Sequence, residues 1–286
     1  MNFNHTRYAL DSLTLAAVES GDAQTAELSV VFLHGWLDNA ASFQTVMNHL
    51  SALNPSLHLC AIDLPGHGLS QHKSGSNFYP FHDYIDDVYQ FLAKLSPNRT
   101  LLVGHSLGAL IASCYSAAFP EQISGLVQIE GLGPLAESPD NSVSRLRNGV
   151  LGRQRIRRKP LRTLQSVDEA VRRRASVNQI EKSLIAPVVE RSLHQQDGRL
   201  CWRHDTHLQC DSLYRMSPEH ARAIQAEVLC PQLVILGEQG FQHLRAESAL
   251  NASEKTKIVT ISGGHHCHLQ QPSRVSDLIF GLVNKI

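Results

Sequence analysis

Ser106 lies in Gly104-His105-Ser106-Leu107-Gly108, between a short apolar run, Thr100 to Val103, and a stretch of small and apolar residues from Ala109 to Phe119. Strand, G-x-S-x-G, helix is the context in which the turn is so tight that the serine is forced into a strained backbone conformation, its hydroxyl standing clear of a sheet edge. Small residues on both sides let the chain pass. A serine that merely caps the next helix is the other reading of the same five residues. The flanking elements favour the nucleophile.

A serine hydroxyl attacks only when a histidine takes its proton, and that histidine needs a carboxylate to hold its tautomer. In an alternation of strands and helices the order along the chain is serine, carboxylate, histidine. The base is therefore sought late, and Gly263-Gly264-His265-His266-Cys267-His268 follows the last apolar run and precedes the final helical stretch. His265, directly after the glycines, is the candidate base, with His266 and His268 as neighbouring loop residues. No companion set of ligands accompanies the three histidines, so neither a metal nor a cofactor is expected. His204-x-x-His207 likewise reads as a surface pair. Gly131-x-Gly133 followed by Pro134 is not a phosphate-cradling loop.

The elements that must position these groups are short, unbroken apolar runs separated by helical segments: Val30 to Leu33, Leu57 to Ile62, Leu101 to Val103, Gly125 to Ile129, Leu233 to Leu236 and Lys257 to Ile261. Such runs mark a parallel sheet covered on both faces. A hairpin over Arg7 to Leu10 and Leu13 to Val18 is expected to start it, and helices are expected over Ser42 to Leu53, His82 to Leu95, Leu107 to Phe119, Ala246 to Ala252 and Pro272 to Val283. The fold class is α/β, a mostly parallel, doubly wound sheet of about eight strands.

Between Gly133 and about Val228 the strand rhythm stops. From Arg145 to Arg174 there are eleven Lys or Arg against Asp168 and Glu169 alone, in a chain whose 26 basic and 26 acidic residues otherwise balance. The reading is a helical cap, 134–228, inserted after the sixth strand, between a first core part, 1–133, and a second, 229–286. Its charge is either a solvated helix face or an attractant for an anionic substrate. The overall neutrality argues against nucleic acid. Six cysteines without C-x-x-C spacing read as buried thiols in a reducing compartment, and no apolar run approaches the ~18 residues of a membrane span. A cytoplasmic monomer or homodimer is expected.

Taken together, these motifs resemble the α/β-hydrolase family over nearly the whole chain, and Val31 to Asn39 with Asp63 to Ser70 is most similar to its serine hydrolase-like branch. His34-Gly35-Trp36 resembles the family's oxyanion motif, which implies the backbone N–H groups of Trp36 and Leu107 as the oxyanion hole. The family's usual acid position departs from pattern: Leu236-Gly237-Glu238-Gln239-Gly240 has Gly240 where aspartate is familiar. Glu130, closing the sixth strand, is the favoured substitute, with Glu238 or a cap residue such as Asp205 as alternatives. Asp63, His67 and Ser70 read as structural. The resemblance implies cleavage of a small-molecule carboxylic ester or thioester through an acyl-enzyme on Ser106. C–C bond hydrolysis, lactone opening, peracid formation and a non-catalytic binder of the same fold remain alternatives. Dehalogenase and epoxide hydrolase chemistry is disfavoured, because it needs a carboxylate where this chain has Ser106.

Overall fold

Each apolar run becomes a strand because it can be buried on both faces at once. In β3 (Ser29–Leu33), Val31 and Leu33 enter the core on one side of the sheet, while Val30 and Phe32 enter the core on the other. The same alternation divides Cys60 and Ile62 from Leu59 and Ala61 in β4 (His58–Ile62). A one-residue slip would exchange the two sets, so packing pins the register. The computed structural model describes residues 3–75, 77–160, 162–245 and 255–286.

The remaining strands of this sheet are β1 (Asn4–Ala9), β2 (Thr14–Ser20), β5 (Thr100–His105), β6 (Gly125–Ile129), β10 (Gln232–Gly237) and β11 (Thr256–Ile261). Eight strands lie in the order β1-β2-β4-β3-β5-β6-β10-β11. The first two form the antiparallel hairpin expected from sequence, β2 also meets β4 antiparallel, and the pairings from β4–β3 to β10–β11 are parallel. One face is covered by α2 (Asp83–Leu95) and α3 (Leu107–Ala118), through Val88, Phe91, Ile111 and Tyr115. The other is covered by α1 (Gln44–Leu53) and by α8 (Pro272–Val283), through Val46, Met47, Leu50, Val275 and Ile279.

The segment between β6 and β10 contains α4 (Ser142–Arg157), α5 (Val167–Asn178), α6 (Lys182–Arg191) and α7 (Pro218–Ala226). Its purely helical reading needs correction. Three short strands, β7 (Thr163–Leu164), β8 (Leu193–Gln196) and β9 (Arg199–Trp202), form a second antiparallel sheet in the order β7-β9-β8. The β8–β9 hairpin turns at Asp197-Gly198, both at positive φ, an Asp-Gly turn signal that polar strands had hidden. The expected helix over Ala246 to Ala252 lies outside the described residues. Among those described, no helix is long and apolar enough to cross a membrane.

Buried polar contacts dock this segment onto the sheet. Asp63, fully buried, accepts hydrogen bonds from the N–H groups of Ala40 and Leu69 at 2.8 and 2.7 Å and from Arg191 Nε of α6 at 3.1 Å, with Arg191 Nη2 2.9 Å from it in an ion pair. The structural reading of Asp63 is thus extended: it braces its own loop and also ties down α6. Asn39 Nδ2 donates to the Val188 carbonyl at 2.7 Å, Trp36 Nε1 to Leu208 at 2.9 Å, and the Tyr79 hydroxyl to Asp205 at 2.7 Å. The last contact commits Asp205 to docking.

Candidate active site

Ser106 sits between β5 and α3 at φ +49°, ψ −116°, a conformation that non-glycine residues rarely adopt. The surrounding sheet holds it there: its N–H donates to the Ile129 carbonyl of β6 at 2.9 Å, and its own carbonyl receives Ala109 and Leu110 of α3. The tightness of the crossing explains the glycines. A Cβ on Gly108 would meet the Leu33 carbonyl oxygen at 1.9 Å, and one on Gly104 the Gly108 oxygen at 2.3 Å.

Glu130 follows β6, also at positive φ (+49°), its N–H bound to the Ile235 carbonyl of β10. The carboxylate is buried. It accepts from the N–H of Gly237 at 2.7 Å through Oε1 and from that of Phe241 at 3.0 Å through Oε2, and Oε2 also lies 3.3 Å from His265 Nδ1. Burial pushes the carboxyl pKa up, but the hydrogen bonds from His265, Phe241 and Gly237 outweigh it, leaving the group below the usual glutamate range. An ionised carboxylate only accepts, so Nδ1 of neutral His265 carries the proton and Nε2 presents a lone pair. The Phe241 ring, 4.3 Å from the imidazole, adds an apolar wall that the sequence did not single out.

The third position is explained by what is missing from it. A Cβ at Gly240 would stand 2.1 Å from Glu130 Oε1, so the carboxylate from β6 occupies the room that a side chain after β10 would need. Glu238 is exposed, and its backbone, not its carboxylate, is engaged with Ile261 and Arg245. The histidine contact belongs to Glu130.

His105, next to the nucleophile position, ties the two ends of the chain together: its Nε2–H donates to the His265 carbonyl at 2.8 Å. Beneath it lies a buried cluster that the sequence reading passed over. Asp38 is 3.2 Å from His266 Nε2, 3.6 Å from His105 Nδ1 and 2.5 Å from Arg174 of α5. Burial raises the Asp38 carboxyl pKa, but His266 and Arg174 hold it well below the usual aspartate range. Asp38, His105 and His266 are close enough to share a metal, as are Glu19, His58 and Cys60. Arg174 already supplies the charge that Asp38 needs, and burial pushes the Cys60 thiol up, against the thiolate a metal takes. His268, fully buried against the His105 ring at 4.2 Å, is held down to about 3 chiefly by burial.

Ser106 lines two cavities. One, of about 470 Å³, is walled by Trp36, Phe78, Tyr84, Leu107, Tyr214 and Met216 among others; the second, of about 610 Å³, reaches Glu130, Glu137, Arg222, Phe241 and His243. Leu107 opens α3, so its N–H is one of the four that a helix start leaves without an intrahelical acceptor. Trp36 is half exposed, its indole at the first cavity. The expected surface pair His204 and His207 is corrected: both are half-buried, and His207 stacks on Phe78 at 4.4 Å because the inserted segment folds back onto that loop.

Sheet order, elbow and histidine loop define a hydrolase of the α/β type, and the comparisons agree. A model of the alpha/beta hydrolase fold matches residues 29–272, and the chain belongs to that family. Among its members, the chain is similar to serine hydrolase-like proteins. It is 25% identical over 262 residues to a serine hydrolase-like protein of Danio rerio, covering 87% of this chain and 79% of the relative. A hypothetical protein of Pseudomonas aeruginosa PAO1 superposes with a TM-score of 0.88 at 29% identity over 98% of both chains. The thioesterase domain from the curacin biosynthetic pathway shares the fold at a TM-score of 0.84 and 19% identity, over 97% of this chain and 99% of that one.

Proposed function

We propose that this hydrolase cleaves carboxylic esters or thioesters of small molecules through an acyl-enzyme on Ser106. The observation that carries the reading is the Glu130–His265 contact, 3.3 Å, formed beside a strained serine elbow and across the space left by Gly240. In this reading Ser106 Oγ attacks the substrate carbonyl while His265 Nε2 takes the hydroxyl proton. The N–H groups of Trp36 and Leu107 donate to the oxygen that becomes negative, an arrangement worth on the order of 10²–10³ per donor. The tetrahedral intermediate collapses, the carbon–oxygen or carbon–sulfur bond breaks, and the leaving group receives the proton from His265. Water, deprotonated by the same imidazole, then releases the acid. Glu130 holds the Nδ1–H tautomer and stabilises the imidazolium throughout.

The inserted segment, 134–228, acts as a cap in this scheme. Leu208, Tyr214 and Met216 from it face Ser106 across the first cavity, which supports an apolar acyl chain on that side. The test is active-site labelling with a fluorophosphonate together with p-nitrophenyl butyrate hydrolysis. Stoichiometric labelling at Ser106 and a burst of p-nitrophenol are expected. Absence of both would reduce the chain to a binder of the same fold.

A further inference from the structure

We propose that a third cavity, beside the first, binds a phosphate-bearing organic anion, and that in the hydrolase reading above, on which this second half rests, the anion is the leaving-group end of the substrate. The cavity, of about 450 Å³, is lined by Lys159, Arg162, Arg174, His204, Trp36 and Trp202. Among the described residues no carboxylate lines it. Arg174 is committed to Asp38 and Lys159 donates to Gln209, but neither Lys159 nor Arg162 has a carboxylate partner among the described residues. The local potential is therefore positive. Burial first, and then Arg174, His72 and Lys159, hold the His204 imidazole down to about 4 against the pull of Asp205.

Two cations answer a phosphate, and two indoles answer the organic group attached to it. Trp36 is fixed by its hydrogen bond to Leu208, and an indole face receives planar rings by stacking. Trp36 and Gln209 also line the cavity that contains Ser106, so the two spaces share a wall. An acyl group at Ser106 and a phosphate-bearing alcohol or thiol across that wall would fit one substrate. On attack the carbonyl–oxygen or carbonyl–sulfur bond breaks, the leaving atom takes the proton from His265, and the phosphates stay with the departing group.

The chain has two tryptophans, and both line this cavity, so intrinsic fluorescence reads its occupancy directly. The full-length protein is titrated with ADP, adenosine and inorganic pyrophosphate at low and high salt. ADP is expected to bind at least ten-fold tighter than either of the others, with the margin over adenosine shrinking as salt screens the cations. Lys159→Gln and Arg162→Gln, both at exposed positions that leave the core intact, should each weaken ADP several-fold. Equal binding of ADP and adenosine, or variants that bind as the parent does, overturns the site; pyrophosphate binding as well as ADP overturns the role of the indoles. Hydrolysis then separates the two halves, by comparing butyryl-coenzyme A with the neutral thioester S-butyryl-N-acetylcysteamine. A preference for the former that is lost in both variants supports the leaving-group assignment. Equal rates overturn it, whereas ADP binding without hydrolysis of either thioester or of p-nitrophenyl butyrate leaves the site standing and removes the hydrolase reading.

Discussion

The Glu130 carboxylate fills the room that a side chain on residue 240 would need, with the ideal Cβ of Gly240 only 2.1 Å from Oε1. Occupation of that space and service to His265 are thus mutually dependent. Gly240→Ala should push Glu130 off the imidazole and lower kcat by about 10²-fold, the cost of roughly an ångström of misplacement. Moving the acid, with Gly240→Asp and Glu130→Gly together, should recover part of that loss where Gly240→Asp alone does not. Steady-state hydrolysis of p-nitrophenyl butyrate by the three variants decides it.

Glu130→Gln keeps the shape but removes the charge that stabilises the imidazolium. A loss of about 10⁴ in kcat is expected, with circular dichroism unchanged. Activity retained in this variant and lost in Glu238→Gln would transfer the role to Glu238.

The backbone at Ser106 stores strain because a Cβ is forced to φ +49°. Ser106→Ala keeps the strain and Ser106→Gly removes it, while both abolish the nucleophile. The glycine variant should be the more stable of the two by roughly 1 kcal/mol, strain relief exceeding the greater freedom of unfolded glycine. Urea denaturation of the inactive pair is the measurement, and equal midpoints would contradict the strain.

Asp63 and Arg191 form a buried pair between the sheet edge and α6. Asp63→Ala leaves the guanidinium without its partner and two backbone N–H groups without acceptors. A loss of about 3–5 kcal/mol is expected. A midpoint within experimental error of the parent would mean that α6 docks without this contact.

His34, His67, His105 and His268 are buried, and burial depresses the pKa of each. Below about pH 6.5 the unfolded chain takes up protons that the folded chain refuses, so stability is full above that pH and falls as pH drops below it. Each such histidine adds a slope on the order of 1.4 kcal/mol per pH unit in that window. Asp38, depressed in the acid direction, adds its own loss only below about pH 4. His268→Leu should flatten the urea midpoint between pH 6.5 and pH 5, and an unchanged slope would assign the sensitivity elsewhere.

The strands were readable because burial on both faces leaves an unbroken apolar run, and the elbow was readable because sterics demand Gly104 and Gly108. The β8–β9 hairpin was not, since Leu193 to Trp202 alternates weakly and Asp197-Gly198 was lost among polar residues. The Asp38 cluster was missed for a different reason. Its members lie 67 to 228 residues apart in the chain, and nothing local in a lone aspartate announces the histidines it will meet.

Residue types and their order along the chain determined the sheet, the turn that exposes Ser106 and the late histidine, because those depend on local sterics and periodic burial. Which carboxylate meets His265 was decided only in three dimensions. Adjacent strand ends β6 and β10 bring Glu130 against the gap at Gly240, and that neighbourhood arises from a crossover spanning the entire inserted segment. The same folding back sets Trp36 and Trp202 around one positively charged cavity, a juxtaposition that 165 intervening positions conceal.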